Sequence, residues 1–471
     1  MNELFIEVSP NLKNFINSFR EIGYTPEIAI ADIIDNSISA NAKKIEIYAL
    51  VNPTPIIAII DDGWGMNKEE LIEAMRLSSR GPNDIRDSKD LGKFGLGLKT
   101  ASFSQCKKLT VVSKKDGEIN GYQWDLDFIV DKGEWLLKTI SDFESVAYFN
   151  EIRDKSAGTL VLLEEIDKIE RSAFSNALFK VRNHIALVFH KFIEGSIYNR
   201  KVEMSLNNNP IKAFNPFNEN HLATQNLSEE KIKINEHSFT VQPFILPHHS
   251  KLNRDEYELY GTEEGYLKTQ GFYLYREHRI IIYGTWWGLH RISDGHKLIR
   301  IKIEIPNSMD EHWGIDVKKS RAKPSDVIKN ELKRIIKPVL EKGSRTYKSR
   351  GRKLEDKTIT RFWQIIPVNE KIRFSINEEH PLFMELFESL DQSQKERFLF
   401  YLKAVQTYLP LDAIQARMQT DPFQIDQKNI LRPEEITIIA NKLKEKGLTQ
   451  EFINNLLKTE VFRDLKYILN E

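Results

Sequence analysis

Residues 91–100 read LGKFGLGLKT. A P-loop needs Gly-x-x-x-x-Gly-Lys followed by Ser or Thr, with the lysine directly after the second glycine. Here Gly92 and Gly97 keep that gap, but Leu98 separates Gly97 from Lys99. The glycines still ask for backbone brought close to a ligand. Leu98, Ala101 and Phe103 then form an apolar, small-residue run that predicts a helix, so the glycines lie at its start. Bare amides and the helix dipole favour an anion there. Residues 92–100 are therefore read as a phosphate cradle of a non-P-loop type.

Outward from the cradle, residues 81–93 are polar, with Pro82, Asn83 and Asp84, and read as a lid loop. Residues 67–80 look helical. Residues 56–60 read as a buried strand that runs into Asp61-Asp62-Gly63-Trp64-Gly65-Met66. Gly63 and Gly65 mark a turn that admits a ligand, with Asp61 placed to accept a hydrogen bond from it. An ordinary β-turn with solvated aspartates accounts for these residues equally well. Residues 44–51 form another strand. Residues 25–39 form a helix, with Thr25 as cap, Pro26 at the first position and Glu27 at the positive end of the dipole. Ile30, Ile33, Ile34 and Ile38 make its buried stripe. Asp32 and Asn36 are four apart and share a face, ordinarily a solvated one.

Beyond the cradle, strands are expected at 109–113, 122–127 and 159–163, the last beginning at Gly158-Thr159. A long helix over 172–197 closes the first domain. Residues 205–235 are polar and Asn-rich and read as a loop. Strands follow at 239–245, 271–275, 279–283 and 298–305, then a helix over 325–340. A basic linker covers 342–358. Helices are expected at 381–390, 392–408, 432–446 and 450–469. Residues 1–20 read as a peripheral helix or as a strap crossing to a partner subunit.

The chain has 471 residues, 41% hydrophobic and 29% charged, the profile of a globular protein of two or three domains. Lysine plus arginine equal aspartate plus glutamate at 68 each, so no global basic field argues for nucleic acid and such contact needs a local patch. A single cysteine, Cys106, excludes a disulfide framework and cysteine-rich zinc sites, and fits a reducing cytoplasm. No apolar run spans a bilayer, and MNELFIEVSP lacks the basic start of a signal peptide.

Each motif is weak alone, but their order is specific: Asp32-x-x-x-Asn36 on a helix, Asp61-x-Gly63-x-Gly65 after a strand, a polar lid, Gly92-x-x-Gly95-x-Gly97, and Gly158-Thr159. The set resembles the GHKL ATPase superfamily (gyrase B subunits, ninety-kilodalton heat-shock chaperones, histidine kinases and MutL), with MORC-like and MutL-like members nearest. AIADIIDNSISANAKKIEI is similar to their first motif and GKFGLGLKTAS to their third. The resemblance is tight over 25–165 and looser to 345. It implies an α/β (α+β) fold: a Bergerat-type ATP-binding sandwich of mixed sheet and helices over 21–200. A transducer-like, S5-like domain over 236–342, a linker over 343–358 and a helical region over 359–471 follow.

The resemblance also implies roles. Asn36 would hold Mg²⁺, since an amide oxygen is a suitable hard ligand. Asp61 would accept from the adenine amino group, supported by Thr159, with Gly63 and Gly65 leaving room for the base. The cradle Gly92, Lys93, Phe94, Gly95, Leu96, Gly97, Leu98 and Lys99 would hold the phosphates of ATP. Asp32 stands where hydrolytic members mostly carry Glu as general base; its shorter side chain makes slow turnover the expectation. Ser39 stands where MutL-like sequences tend to have Asp. Segment WGIDVKKSRAKP is similar to the transducer loop that brings a cation to the γ-phosphate, with Lys319 first, Lys323 second and Lys318 third. A solvated basic loop is the plain alternative. Segment GFYLYREHRIIIYGTWWGL is similar to transducer strands, its Tyr273, Tyr275, Trp286 and Trp287 read as core.

An ATP-gated homodimeric clamp is the function these roles imply, with DNA as client through basic segments 318–323 and 344–353. Protein partners from a bacterial antiviral-defence, restriction or repair system belong to the same expectation, without a membrane. A histidine kinase is not expected, since the ATP motifs start at residue 29 and leave no room for a phosphoacceptor helix before them. Nuclease activity of the MutL kind is not expected, since no DQHAxxE-type motif occurs near residue 471, and the chain is short for a heat-shock chaperone. The rival is a non-hydrolysing ATP sensor that switches protein partners.

Overall fold

The computed structural model describes residues 11–21, 23–77, 97–197, 200–316, 321–348, 359–368, 371–447 and 449–463. Helix α1 (Leu12–Arg20) leads to α2 (Pro26–Ser39). Thr25 takes the extended cap conformation but its hydroxyl makes no capping bond; Pro26 and Glu27 set the helix start. The isoleucine stripe is buried as expected, and so are Ala29, Ala31, Asp32, Asp35 and Ser37. With α2 enclosed on most sides, Asp32 and Asn36 do not share a solvated face: Asp32 is buried and Asn36 exposed.

Strands β1 (Lys44–Leu50) and β2 (Ile56–Asp61) pair antiparallel. Helix α3 (Lys68–Met75) starts at a capping box between Asn67 and Glu70. It ends at Arg76 in extended backbone, short of the helix expected over 67–80. There follow α4 (Gly97–Phe103), β3 (Cys106–Lys115), β4 (Glu118–Asp125), α5 (Leu126–Lys132), β5 (Lys138–Thr139), α6 (Phe149–Arg153) and β6 (Gly158–Ile166). The single helix expected over 172–197 is two, α7 (Phe174–Val188) and α8 (His190–Glu194), parted at Phe189 with φ −108° and ψ 14°. The apolar period runs through the break, which hides it from the sequence. Strand β7 (Glu203–Leu206) runs into the stretch 205–235 read as loop, and β8 (Asn209–Pro210) lies within it.

The first sheet has eight strands in the order β5-β4-β3-β6-β2-β1-β7-β8. Among its pairs β1–β7 is parallel, whereas β1–β2, β2–β6, β3–β6 and β3–β4 are antiparallel. Side chains alternate between the faces of a strand. Ile57, Ile59, Val161 and Leu163 face the core formed with α2, α4 and α7; Ala58, Ile60, Leu160 and Leu162 face a second layer with Phe149 and Ile152 of α6. Both faces are covered, so the central strands read as continuous apolar runs.

A second sheet follows: β9 (Gln225–Asn226), β10 (Glu230–Ile234), β11 (His237–Ile245), then α9 (Arg254–Gly261), α10 (Gly265–Lys268), β12 (Gly271–Arg276), β13 (Arg279–Thr285) and β14 (Ile299–Ile305). Its order is β10-β11-β14-β12-β13, with β9 on β11. Helices α11 (Asp310–Trp313) and α12 (Asp326–Lys348) succeed it. Tyr273, Tyr275 and Trp286 are buried. Trp287 lies between Phe272 and Trp313, at ring separations of 5.1 and 5.5 Å, as core rather than platform.

Two compact units divide the chain. The first takes in the described residues up to Leu246, with Tyr260–Ile292 and Ile299–Val339. Both sheets lie in it and share a core: Phe244, Tyr273, Tyr275 and Ile280 cluster with Ile185, Phe189 and Phe192. The second comprises Pro247–Leu259, Ser293–Leu298 and the residues from Leu340 onward. It contains a hairpin, β15 (Trp363–Val368) and β16 (Lys371–Ile376), that the reading of 359–471 as helical does not contain. Its helices are α13 (Pro381–Glu388), α14 (Gln392–Thr407), α15 (Leu411–Thr420), α16 (Pro433–Glu445) and α17 (Gln450–Leu456), with Ala440, Leu443, Leu456 and Phe462 as a small core. Among the described residues no helix is long and apolar enough to cross a membrane.

Candidate functional site

Asp61 is the last residue of β2, and its direct cross-strand partner on β6 is Thr159. The carboxylate is buried. Ser37 of α2 donates its hydroxyl to Oδ2 at 2.8 Å, and the Gly63 amide donates to Oδ1 at 2.9 Å. Burial pushes the Asp61 carboxyl above its ordinary pKa, opposed by Ser37, Gly63 and the Thr159 amide. The Thr159 and Ser113 hydroxyls lie 2.9 Å apart, and Ser113 accepts from the Met66 amide at 2.8 Å. Asp62 serves the scaffold instead: it accepts from the Lys43 and Lys44 amides at 2.7 and 2.8 Å, tying the turn to β1.

Three glycines are set by close approach of other backbone. Gly65 has φ +67°, and a Cβ there would lie 1.9 Å from the Lys114 carbonyl oxygen. At Gly158, φ +148°, a Cβ would lie 2.1 Å from the Asp61 carbonyl oxygen. Gly63 would bring its Cβ to 2.7 Å from the Ala40 carbonyl. The backbone around Asp61 is thus drawn tight, with the carboxylate held by hydroxyl and amide donors.

One turn of α2 away, Asp32 is buried with both oxygens engaged. Tyr24 donates its hydroxyl to Oδ2 at 3.1 Å, and Arg279 Nη2 reaches Oδ1 at 3.4 Å. Arg279 Nε lies 2.9 Å from Asp35 Oδ1, so one guanidinium serves two aspartates. Burial and the Asp32 charge together push the Tyr24 phenol well above its ordinary pKa. Asn36 is exposed on the same helix and turns its amide nitrogen toward the Asp32 carbonyl at 3.4 Å, leaving its oxygen available to a hard cation.

Lys99 is buried in α4 and donates its ammonium to the Ala74 carbonyl of α3 at 2.9 Å, at the negative end of that helix. Burial pulls its pKa down to about 8. Leu98 packs partly buried against the main core, and Gly97 begins α4 with open space around it. Gly92, Lys93, Phe94, Gly95, Leu96, the lid over 81–93, and Lys318 and Lys319 lie outside the described residues. Lys323 is exposed. Asp316 and Arg321 are tied to each other: the Asp316 carboxylate accepts from the Arg321 amide at 3.0 Å and the Asp316 amide donates to the Arg321 carbonyl at 3.1 Å. The Asp316 charge adds a smaller push to the Tyr24 phenol.

The described parts bring Asp32, Asn36, Asp61, Gly63, Gly65 and Thr159 to one end of α2 and its flanking strands. Sequence reading missed Tyr24, Ser37, Ser113 and Arg279. Ser37 carried a signal, being next to Asn36 on the helix that faces β2; Arg279 carried none. A cavity of about 610 Å³ bordered by Lys44, Glu46, Ile193, Glu203 and Lys212 contains none of these residues. A buried acceptor at a strand end and an exposed amide on the neighbouring helix fit an adenine nucleotide with a divalent cation.

Comparison with known proteins agrees. Residues 24–159 match the family model described as histidine kinase-, DNA gyrase B- and HSP90-like ATPase. The chain is 33% identical over 128 residues to ATPase morc-1 of Caenorhabditis elegans, covering 27% of this chain and 15% of that protein. It is 28% identical over 163 residues to the chaperone protein HtpG of Rickettsia bellii, covering 32% and 24%. It is 32% identical over 102 residues to the DNA mismatch repair protein MutL of Dictyoglomus turgidum, covering 21% and 18%. The matches thus span less than a quarter of each relative. Residues 24–159 are a nucleotide-binding domain of the GHKL ATPase superfamily.

Proposed function

We infer that the protein binds ATP with Mg²⁺, hydrolyses it slowly, and couples nucleotide binding to joining of two copies in a clamp that acts on DNA. The observation that carries this reading is the buried Asp61 carboxylate at the end of β2, opposite Thr159, inside the matched region. Asp61 accepts from the adenine amino group, and Gly63 and Gly65 let the base lie against backbone. Asn36 would hold Mg²⁺, which would supply neutralisation of the phosphate charge. Cradle amides and Lys99 hold the phosphates, and Lys319 or Lys323 adds charge at the γ-phosphate. Asp32 takes the proton from the attacking water. Such a reaction needs positioning and charge neutralisation more than covalent help.

Closure of lid and transducer loop over ATP is the output. ATP that contacts both only when they are closed shifts the population toward that state. DNA as client is supported by a relative whose name states mismatch repair. A role in bacterial defence or restriction extends the MORC-like resemblance. The rival, an ATP sensor without hydrolysis, is favoured by one observation: both Asp32 oxygens already accept from Tyr24 and Arg279. Solution mass with and without Mg·ATP tests the clamp. The account expects a dimer with ATP that Asn36→Ala abolishes; an oligomer indifferent to ATP contradicts it.

A further inference from the structure

Arg279 lies outside the matched nucleotide-binding domain yet reaches into its site. It opens β13 directly after the two-residue turn Glu277-His278, where Arg276 and Arg279 are cross-strand partners. Both turn residues have positive φ, +45° and +69°, the geometry of a tight hairpin usually made by Asn and Gly. Side chains that tolerate this need fixed surroundings. Glu277 supplies one: it accepts from the Asn307 amide at 3.0 Å, while its own amide donates to the Ile305 carbonyl. Arg276 supplies another, holding Asp310 at 2.7 and 2.9 Å through two nitrogens. The hairpin tip is thus a fixed mount for the next residue, Arg279.

The guanidinium is buried, lies over the Phe189 ring at 5.5 Å, and meets Asp35 and Asp32 at 2.9 and 3.4 Å. An ion cluster of this kind gains little stability over apolar packing, because each charge must lose its water. What it supplies is geometry: a planar fork fixes the direction of a carboxylate where a flexible ammonium would not. An aspartate, a methylene shorter than glutamate, places its carboxylate only where its neighbours hold it. A carboxylate offers about four lone-pair sites. Tyr24 and Arg279 engage one on each oxygen.

We propose that Arg279 is a positioning residue for Asp32, by which the second sheet fixes the direction in which that carboxylate accepts a proton; this rests on the reading of Asp32 as the base. In the step concerned, the water oxygen bonds to the γ-phosphorus as the bond to the ADP oxygen breaks. Asp32 receives the proton that the water loses.

The test uses the full chain with Arg279→Lys, Arg279→Met, Asp32→Asn and the Arg279→Met/Asp32→Asn double variant. Single-turnover hydrolysis and Mg·ATP dissociation constants are measured, together with unfolding temperature without nucleotide. Turnover in Arg279→Lys falls roughly ten- to hundredfold. Its ATP dissociation constant stays within about twofold of the unsubstituted protein. Arg279→Met costs no further turnover once Asp32→Asn is present. Without nucleotide, the double variant melts higher than the two single losses sum to, because neither charge is left buried alone. Arg279→Lys carries the kinetic test should Arg279→Met fail to fold. A wild-type rate in Arg279→Lys beside a dead Asp32→Asn overturns the Arg279 assignment alone. A wild-type rate in Asp32→Asn, or ATP binding with no turnover in the unsubstituted protein, removes the base and Arg279's role with it.

Discussion

At Asp61 three elements converge on one buried carboxylate: the end of β2, the Ser37 hydroxyl of α2 and the Gly63 amide of the following turn. The position of Asp61 at the end of an apolar strand was legible, because strand and turn signals are local. The donors that hold it, Ser37 and Gly63, come from a helix before the strand and a turn after it, and Thr159 comes from across the sheet. Arg279, at the start of an expected strand, gave no sign of its partner, since 247 residues separate it from Asp32. At this scale His184 gives a test by pH. Burial, and then the Arg279 charge, hold its imidazole down at a pKa of about 3 against an ordinary 6.5. The folded protein thus refuses a proton that the unfolded chain accepts. The resulting stability is present above pH 6.5 and drains away as pH falls toward 3. Melting temperature measured from pH 7.5 to 4.5 is expected to fall less steeply for His184→Gln than for the unsubstituted protein. Parallel profiles would show that His184 is not held neutral.

At the scale of elements, the central strands were legible because both their faces are covered, so β2 and β6 appear as unbroken apolar runs. Strand β7 was not, since it is short, sits among asparagines, and pairs in parallel with β1 more than 150 residues away. The α7–α8 break was hidden by an apolar period that continues through it. The hairpin β15–β16 was absorbed into a helical reading of its surroundings. Pairing of β2 with β6 is the element on which the site depends, and Gly158 is its tightest point. Gly158→Ala sets a methyl 2.1 Å from the Asp61 carbonyl at a φ that L residues rarely adopt. A loss of roughly 1–3 kcal/mol in denaturant unfolding is expected. It should be accompanied by weaker ATP binding, since the shift falls on Asp61 itself. Unchanged stability would mean that the strands separate there without cost.

For the whole molecule, the two sheets of the first unit share a core, and polar ties cross between them. His190 meets the Tyr275 hydroxyl at 2.7 Å, Lys191 pairs with Glu304, and Arg279 pairs with Asp32 and Asp35. Burial is the largest influence on Glu304 and works against ionisation. His278 and Lys191 outweigh it and hold the carboxyl down at about 2. The first sheet is therefore tied to the second by a shared core and by these polar contacts. The proposed function stands or falls with ATP binding at Asp61. Isothermal titration of Mg·ATP into the unsubstituted protein and into folded Asp61→Ala tests it most directly. Binding that weakens roughly ten- to hundredfold or more in Asp61→Ala is the predicted result. No binding by the unsubstituted protein, or equal binding by both, would contradict it.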